Sequence, residues 1–243
     1  MSRYFASASE DLPHLNPLLK GVELVIFDFD GVIADSEEIS LSTLQETFRE
    51  FGIEVTHDDT RNMFLGKSLK TIATHVRAHG AGKVEEFAKK WETALFGRFR
   101  NELEPMSGVT GILDYLDSVG IAYCIASSST FKRIDVALGS MGLTDRFPRI
   151  FSAQQVVHGK PQPDLFLLAA SMLSTEPEAC LAIEDSPFGV HAAKSAGMRC
   201  AGFVGGCHLE GIQTNHGELL LQSGADFILS SYEPLSSPSG LAE

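Results

Sequence analysis

Short, unbroken apolar runs alternate along the chain with segments whose apolar residues recur at helical spacing. The clearest runs are LVIFD (24–28), AYCIAS (122–127) and CLAIED (180–185), and each ends in polar residues. Unbroken apolar runs of this length are typical of strands that helices cover on both faces, as in a parallel sheet. The pattern therefore predicts an α/β fold with a doubly wound parallel sheet. Further short strands are predicted near 149–152, 199–204 and 226–229.

A segment of about 70 residues after the first run contains only helical patterns. Leu41, Leu44 and Phe48 recur at helical spacing after Ser36, which is a good helix-capping residue. We therefore predict a small helical domain inserted over the crevice at the carboxyl edge of the sheet. The expected organisation is an N-terminal extension (1–20), a catalytic core (21–34 and 105–235), a helical cap domain (35–104) and a flexible tail (236–243).

Charge and cysteine usage narrow the class of protein. The chain has 243 residues and a net charge of −13, which repels nucleic acid and anionic membranes. No apolar stretch approaches the roughly 18–20 residues of a membrane span. The four cysteines form no C-x-x-C pair, so we expect buried free thiols and a reducing cytoplasm. A monomer or a small homo-oligomer is expected, without nucleic-acid or membrane partners.

Carboxylates cluster at the predicted strand ends. Asp28 and Asp30 close the first run, and residues two apart in an extended segment face the same side. One carboxylate can then attack a phosphoryl group while the other moves protons, because an acyl-phosphate is readily hydrolysed afterwards. Carboxylate and phosphate repel each other, so this chemistry calls for Mg²⁺. Glu184 and Asp185 follow another run and can complete such a metal site.

The charge on the phosphoryl oxygens requires a cation and hydroxyl or N–H donors. Lys160 lies in HGKPQPD, where two prolines stiffen its loop, and Ser127 ends a strand just before a helix. A helix start offers free N–H groups that bind anions. Both residues are therefore candidates to bind phosphate.

Four segments carry these residues in one order: FDFDGVIADSE (27–37), IASSS (125–129), GKPQPD (159–164) and IEDSPFGVHAAKSAGM (183–198). Together they resemble the haloacid dehalogenase superfamily, specifically its phosphatase and phosphomutase branch with a helical cap after the first strand. The resemblance covers residues 22–204. It implies a Rossmann-like core, a mobile cap, bound Mg²⁺ and an aspartyl-phosphate intermediate.

The resemblance also implies roles at the matching positions. Asp28 corresponds to the nucleophile and Asp30 to the general acid/base. The backbone carbonyl of Asp30 corresponds to a metal ligand, Asp185 to the third protein ligand, and Glu184 to a direct or outer support. The presence of Asp30 favours phosphate chemistry, because the dehalogenases of the superfamily lack this second aspartate.

For the phosphate, the resemblance implies binding by Ser127 and Lys160. Backbone N–H groups of Phe29 and Ser128 are the expected additional donors. The substrate is then a small phosphorylated metabolite, and the resemblance is greatest to sugar-phosphate phosphatases such as 6-phosphogluconate phosphatase, with beta-phosphoglucomutase close behind.

Hydrolysis is favoured over phosphoryl transfer between sugar positions. The mutase pattern has a histidine where this chain has Ser40, and a cap arginine where this chain has the segment 66–70. Arg61, Lys67 and Lys70 are candidates to contact a substrate carboxylate or hydroxyl. Cys207 and His208 follow a predicted strand end and could lie at the edge of the active site. We favour an ordinary loop, because nothing in their spacing demands chemistry.

Other functions stay open. A beta-phosphoglucomutase-like mutase is the main alternative to a phosphatase acting on sugars, sugar acids or polyols. An inorganic pyrophosphatase and a phosphonate hydrolase also fit the core motifs, the latter only with a cap lysine that forms a Schiff base. A non-catalytic module phosphorylated on aspartate ranks below them, because it needs neither Asp30 nor a large cap.

Overall fold

The computed structural model describes residues 15–64, 69–79 and 83–236, with the side chains of Leu69 and Lys70 left out. Within these residues six strands form one sheet. In chain order, β1 to β6 are Leu24–Phe27, Ala122–Ser127, Ile150–Ser152, Cys180–Glu184, Arg199–Phe203 and Phe227–Leu229. Each matches a predicted run to within a residue at either end. The expected α/β fold with a doubly wound parallel sheet is confirmed.

Nine α-helices accompany the strands in the described part of the chain. In chain order, α1 to α9 are Glu37–Glu50, His57–Phe64, Leu69–Ala78, Val84–Glu102, Val109–Val119, Phe131–Met141, Asp164–Met172, Pro187–Ser195 and Gln213–Gln222. Helices α1 to α4 lie between β1 and α5, in the segment whose pattern predicted helices. We call these four helices the insertion.

The sheet order is β3-β2-β1-β4-β5-β6, and all neighbouring strands are parallel. The chain leaves β1 toward β2 on one side and later returns to pair β4 on the other side. This reversal of strand order opens a crevice beyond the carboxyl ends of β1 and β4, where ligands of such sheets bind. Asp28 and Asp185 directly follow these two strands.

Side chains of β1 enter the core on both faces of the sheet. Val25 and Phe27 join one apolar cluster, and Leu24 and Ile26 join another on the opposite face. The first cluster continues into the insertion, because it also contains Phe48 and other insertion residues. Burial on both faces explains why the strand has no polar alternation.

The two connections between sheet and insertion run side by side. Ala34 forms isolated bridges with Asp30 and Pro105, the backbone N–H of Asp35 donates to Glu104 O (3.2 Å), and that of Met106 donates to Ile33 O (2.8 Å). The chain thus enters and leaves the insertion at one place, close to Asp30.

The N-terminal extension is partly described by the structure. Asn16 and Leu19 are fully buried, so the described part of the predicted extension packs against the core.

Cys124, Cys180 and Cys200 are buried free thiols, whereas Cys207 is exposed, contrary to the expectation for all four. None of the described helices has both the length and the apolar character needed to cross a membrane.

Candidate active site

Three carboxylates meet where β1 and β4 end. Asp28 follows β1, Glu184 is the last residue of β4, and Asp185 follows it. One carboxylate oxygen from each lies within 4.8 Å of the others. The parallel pairing of the two strands causes this, since Phe27 lies opposite Ile183 and the next residues continue the register. The sequence therefore correctly predicted that these side chains converge.

Lys160 is a cation that two of these carboxylates share. Its Nζ lies 2.7 Å from Asp28 Oδ1 and 2.5 Å from Glu184 Oε1, and it donates to the carbonyl of Ala126 at 2.9 Å. The Lys160 side chain is 4 % exposed and that of Glu184 is fully buried. A buried charge is tolerated only when it is paired in this way.

One ammonium does not neutralise three carboxylates, and the pKa values reflect this. Burial raises the pKa of Asp28, and the Lys160 charge offsets only part of the effect. Burial and the neighbouring Asp28 charge raise the pKa of Glu184 to about 8, and the same causes place the pKa of Asp185 well above its usual range. The three-carboxylate cluster therefore retains protons near neutral pH when no metal is bound.

The cluster Asp28, Glu184 and Asp185 could hold a metal ion. Its donors are all oxygens and its charge exceeds what Lys160 balances, and both properties suit a hard divalent cation. Small residues leave room for the carboxylates. A Cβ at Gly31, which has φ +77°, would collide with the carboxylate of Asp185, and a Cβ at Gly189 would collide with that of Glu184.

Asp30 has partners of the opposite kind. Its Oδ1 accepts hydrogen bonds from Ser36 Oγ (2.5 Å) and Arg133 Nη2 (2.8 Å), and its Oδ2 accepts one from Ser129 Oγ (2.6 Å). Burial raises the pKa of Asp30, but the Arg133 charge and these hydrogen bonds outweigh it and hold the pKa below its usual range. Ser36 precedes α1 as expected, yet its hydroxyl bonds to Asp30 instead of capping the helix.

The serines of the second motif lie at the start of α6. Ser127 Oγ accepts a hydrogen bond from the backbone N–H of Ser129 (3.0 Å), and Thr130 caps the helix through the N–H of Arg133. Ser127 and Ser128 line the same cavity as Asp28 and Lys160. This cavity receives the N-terminal end of an eleven-residue helix, which favours anions there.

The cavity encloses about 870 Å³ between the sheet edge and the insertion. Its sheet side is polar and contains the residues described above. Its insertion side is largely apolar and contributes Leu41, Leu44, Phe64, Ile72, Trp91, Leu95 and Phe96, together with Glu37, Lys89 and Glu92.

The structure does not place the predicted substrate-contacting residues, Arg61, Lys67 and Lys70, in the cavity that contains Asp28 and Lys160. The Arg61 guanidinium donates to the backbone carbonyl of His208 and lies 3.9 Å from Glu38, and Arg61 is absent from the described residues that line the cavity. The Arg61 guanidinium, which was expected to bind substrate, thus binds the carbonyl of a core loop instead. Lys67 and the side chain of Lys70 lie outside the described residues.

Two residues of the cavity were missed or misinterpreted. His208 is 3 % exposed, and its Nε2 lies 3.4 Å from Asp185 Oδ2, so its interpretation as an ordinary loop residue is wrong. Its position just after a strand end was the available signal. Arg133 was not considered, although a cation in the first turn of α6 opposes the helix dipole and marks an unusual position.

Comparisons with known proteins agree with the geometry. Residues 25–203 match the family model described as haloacid dehalogenase-like hydrolase. The chain is 30 % identical over 217 residues to a phosphorylated carbohydrates phosphatase from Thermotoga maritima, covering 88 % of this chain and 97 % of that protein. It is 28 % identical over 190 residues to the 6-phosphogluconate phosphatase of Escherichia coli, covering 77 % of this chain and 85 % of that protein.

A solved structure supports the same assignment. A conserved haloacid dehalogenase-like protein of unknown function from Agrobacterium tumefaciens superposes with a TM-score of 0.72 at 31 % identity, covering 88 % of this chain and 96 % of the other. The expected resemblance and the expected enzyme class, a phosphoric monoester hydrolase, are confirmed. The chain belongs to the haloacid dehalogenase-like hydrolase family.

Proposed function

We propose that this protein is a Mg²⁺-dependent phosphatase that hydrolyses small phosphorylated sugars, sugar acids or polyols through an aspartyl-phosphate on Asp28. One observation carries the proposal. Asp28 and Asp30 line the same cavity but have opposite electrostatic partners, the first among carboxylates and Lys160, the second among hydroxyls and Arg133. Two carboxylates in different environments are suited to different roles.

In the first half-reaction a carboxylate oxygen of Asp28 attacks phosphorus, and the bond between phosphorus and the leaving oxygen breaks. Asp30 gives its proton to that oxygen. Asp30 is ionised in the free protein, and the approach of an anionic phosphate raises its pKa, so it takes up this proton as substrate binds. Ser127, Lys160 and the N–H groups at the start of α6 hold the phosphoryl oxygens.

In the second half-reaction Asp30 accepts a proton from water. The water oxygen attacks phosphorus, the bond to Asp28 breaks, and inorganic phosphate leaves. Asp28 returns to its starting state. Asp30 releases the proton to solvent as phosphate leaves, which restores its ionised state in the free protein.

Asp28, Asp185 and the backbone carbonyl of Asp30 would hold Mg²⁺, with Glu184 supporting them. Bound Mg²⁺ supplies positive charge that reduces the repulsion between Asp28 and the phosphate. The surplus of carboxylates over Lys160 is the feature of this chain that fits such an ion. Residues 35–104 would act as a cap that excludes water during the first half-reaction.

The choice of substrate and of hydrolysis rests on two further observations. The relatives named above act, by their names, on phosphorylated carbohydrates and on 6-phosphogluconate. Mutase action needs a cation in the insertion for a second phosphate. Arg61 is engaged with the His208 carbonyl, and the insertion cation that lines the described part of the cavity is Lys89, which lacks the bidentate contact an arginine makes with phosphate. The buried thiols of Cys124, Cys180 and Cys200 suit a reducing compartment, which agrees with a cytoplasmic enzyme.

The experiment is phosphate release from a panel of sugar, sugar-acid, polyol and nucleotide monophosphates, with Mg²⁺ and with EDTA. Metal-dependent release that is greatest for the sugar-type esters is expected. Consumption of a hexose phosphate only after addition of a bisphosphate, with an isomerised product, would instead establish a mutase.

A further inference from the structure

Arg133 is the cation nearest to Asp30, and nothing in the proposed mechanism uses it so far. It lies in the first turn of α6, where a positive charge opposes the helix dipole. Its side chain is only 16 % exposed. A desolvated cation in an electrostatically unfavourable position requires strong partners, and those partners indicate what the residue does.

The guanidinium joins the core to the insertion through one nitrogen. Nη2 donates to Asp30 Oδ1 and to Ser40 Oγ, both at 2.8 Å. Ser40 belongs to α1, and its hydroxyl donates in turn to the carbonyl of Ser36. The two protons of Nη2 are thus divided between the carboxylate and the insertion.

A second contact with the insertion lies against the face of the guanidinium. Arg133 Cζ is 5.4 Å from the centroid of the Phe99 ring, which belongs to α4. Cation–π contacts of this kind favour a desolvated guanidinium over an ammonium. Arg133 therefore contacts two helices of the insertion and Asp30 at the same time.

We propose that Arg133 is a positioning residue that holds the Asp30 carboxylate for proton transfer and ties its position to helix α1 of the insertion. The inference rests on the proposed function. The leaving oxygen and the attacking water occupy the same side of phosphorus, so Asp30 must keep one place through both half-reactions. Ser129 holds Asp30 from the core and Ser36 holds it from the residue that precedes α1. Arg133 adds a link to Ser40, one turn further into the insertion.

The first test compares Arg133→Gln and Arg133→Lys with the unmodified enzyme on the best phosphate ester of the panel. Arg133→Gln is expected to lower kcat about 10- to 100-fold, because general acid–base catalysis contributes about that much or more. KM and the inhibition constant of inorganic phosphate should change less than about threefold, since Ser127 and Lys160 still bind phosphate. Arg133→Lys should recover part of kcat, because a lysine restores the charge but does not reproduce the pair of guanidinium hydrogen bonds to Asp30 and Ser40.

Lys132→Gln is the matched control. Lys132 precedes Arg133 on the same helix and also pairs with the insertion, at 2.5 Å from Glu92, but it is 63 % exposed and does not contact Asp30. Its loss should leave kcat within about twofold, as expected for a surface ion pair. If Arg133→Gln acts mainly on KM and phosphate inhibition, Arg133 binds substrate and the proposal is wrong.

A crystal structure of Arg133→Gln supplies a readout that is independent of activity. The Asp30 carboxylate is expected to move or to occupy more than one conformer. A single, unchanged Asp30 position would overturn the proposal, whatever the rates. Should the unmodified enzyme release phosphate from no ester, the proposed function fails, and the Asp30 position in this variant, or in Arg133→Lys if the glutamine variant does not fold, still decides the inference.

Discussion

The two walls of the cavity are built on different principles. The wall at the sheet edge consists of buried charges that are fixed by specific partners, as Lys160 is by Asp28 and Glu184. The opposite wall, on the insertion, consists mainly of apolar side chains such as Leu44 and Trp91. Buried charges demand exact geometry, whereas apolar contact is non-directional. This difference agrees with the proposal that the sheet edge performs the chemistry and that the insertion encloses the leaving group.

Asp28→Asn, a substitution in the wall at the sheet edge, should produce the largest loss of activity. The substitution keeps the shape of the side chain but removes the proposed nucleophile, so kcat should fall by about 10⁴-fold or more, as for other covalent catalysts. The thermal midpoint of the metal-free protein should stay the same or rise, because one charge leaves an over-acidic cluster. Phosphate release assays and thermal unfolding measure both effects, and substantial residual turnover would contradict the nucleophile assignment.

Lys160→Met should affect both activity and stability. It removes the cation that Asp28 and Glu184 share, and breaking a buried pair costs about 3–5 kcal/mol of unfolding free energy at a pH above about 8, where Glu184 is ionised. Urea unfolding measures this loss, and kcat/KM should fall with it. Lys194→Met is the matched control, because the Lys194–Asp226 pair is at the surface and should contribute less than about 1 kcal/mol. Equal losses in the two variants would refute the special role of Lys160.

The acidic cluster should make stability depend on pH. The pKa of Glu184 is about 8 in the folded protein against 4.5 ordinarily, so the folded state keeps a proton that the unfolded state has lost. The unfolding free energy of the metal-free protein should therefore decrease as pH rises from about 4.5 to about 8. Added Mg²⁺ should restore stability most at the upper end of this range.

Glu184→Gln tests the origin of that slope, since glutamine has no proton to lose. Thermal unfolding across the same pH range in EDTA should give a flatter dependence for this variant. An identical slope in both proteins would assign the effect to other groups.

Trp91→Phe should have the smallest effect and acts on the opposite wall. The indole Nε1 of Trp91 is buried, and it has no hydrogen-bond partner among the described residues, so its loss costs little. If the insertion wall contacts only the leaving group, Trp91→Phe should change KM by a few-fold and leave kcat within about twofold. Kinetics on two esters with different leaving groups measure this, and a large loss of kcat on both would show that the insertion takes part in the chemistry.

The predictions from sequence succeeded where the signal is local. The unbroken apolar runs located the strands, and the residues at their ends, such as Asp28 and Asp185, converge because parallel strands end at one edge. Arg61 failed because its orientation depends on the carbonyl of a loop 147 residues away in the chain. Arg133 was missed and His208 was misinterpreted, because contact with the site depends on which side of a helix or loop faces the crevice.

Hydrophobic periodicity, the order of the motifs and the residue types at strand ends were enough to determine the sheet, the insertion and the family, because each depends on near neighbours in the chain. Tertiary packing decided which cation pairs with each of the two aspartates. Lys160 pairs with Asp28 across 132 residues and Arg133 with Asp30 across 103. Burial raises the pKa of both aspartates. Lys160 offsets this only in part at Asp28, whereas Arg133 and the hydroxyl donors outweigh it at Asp30, so the two pKa values shift in opposite directions.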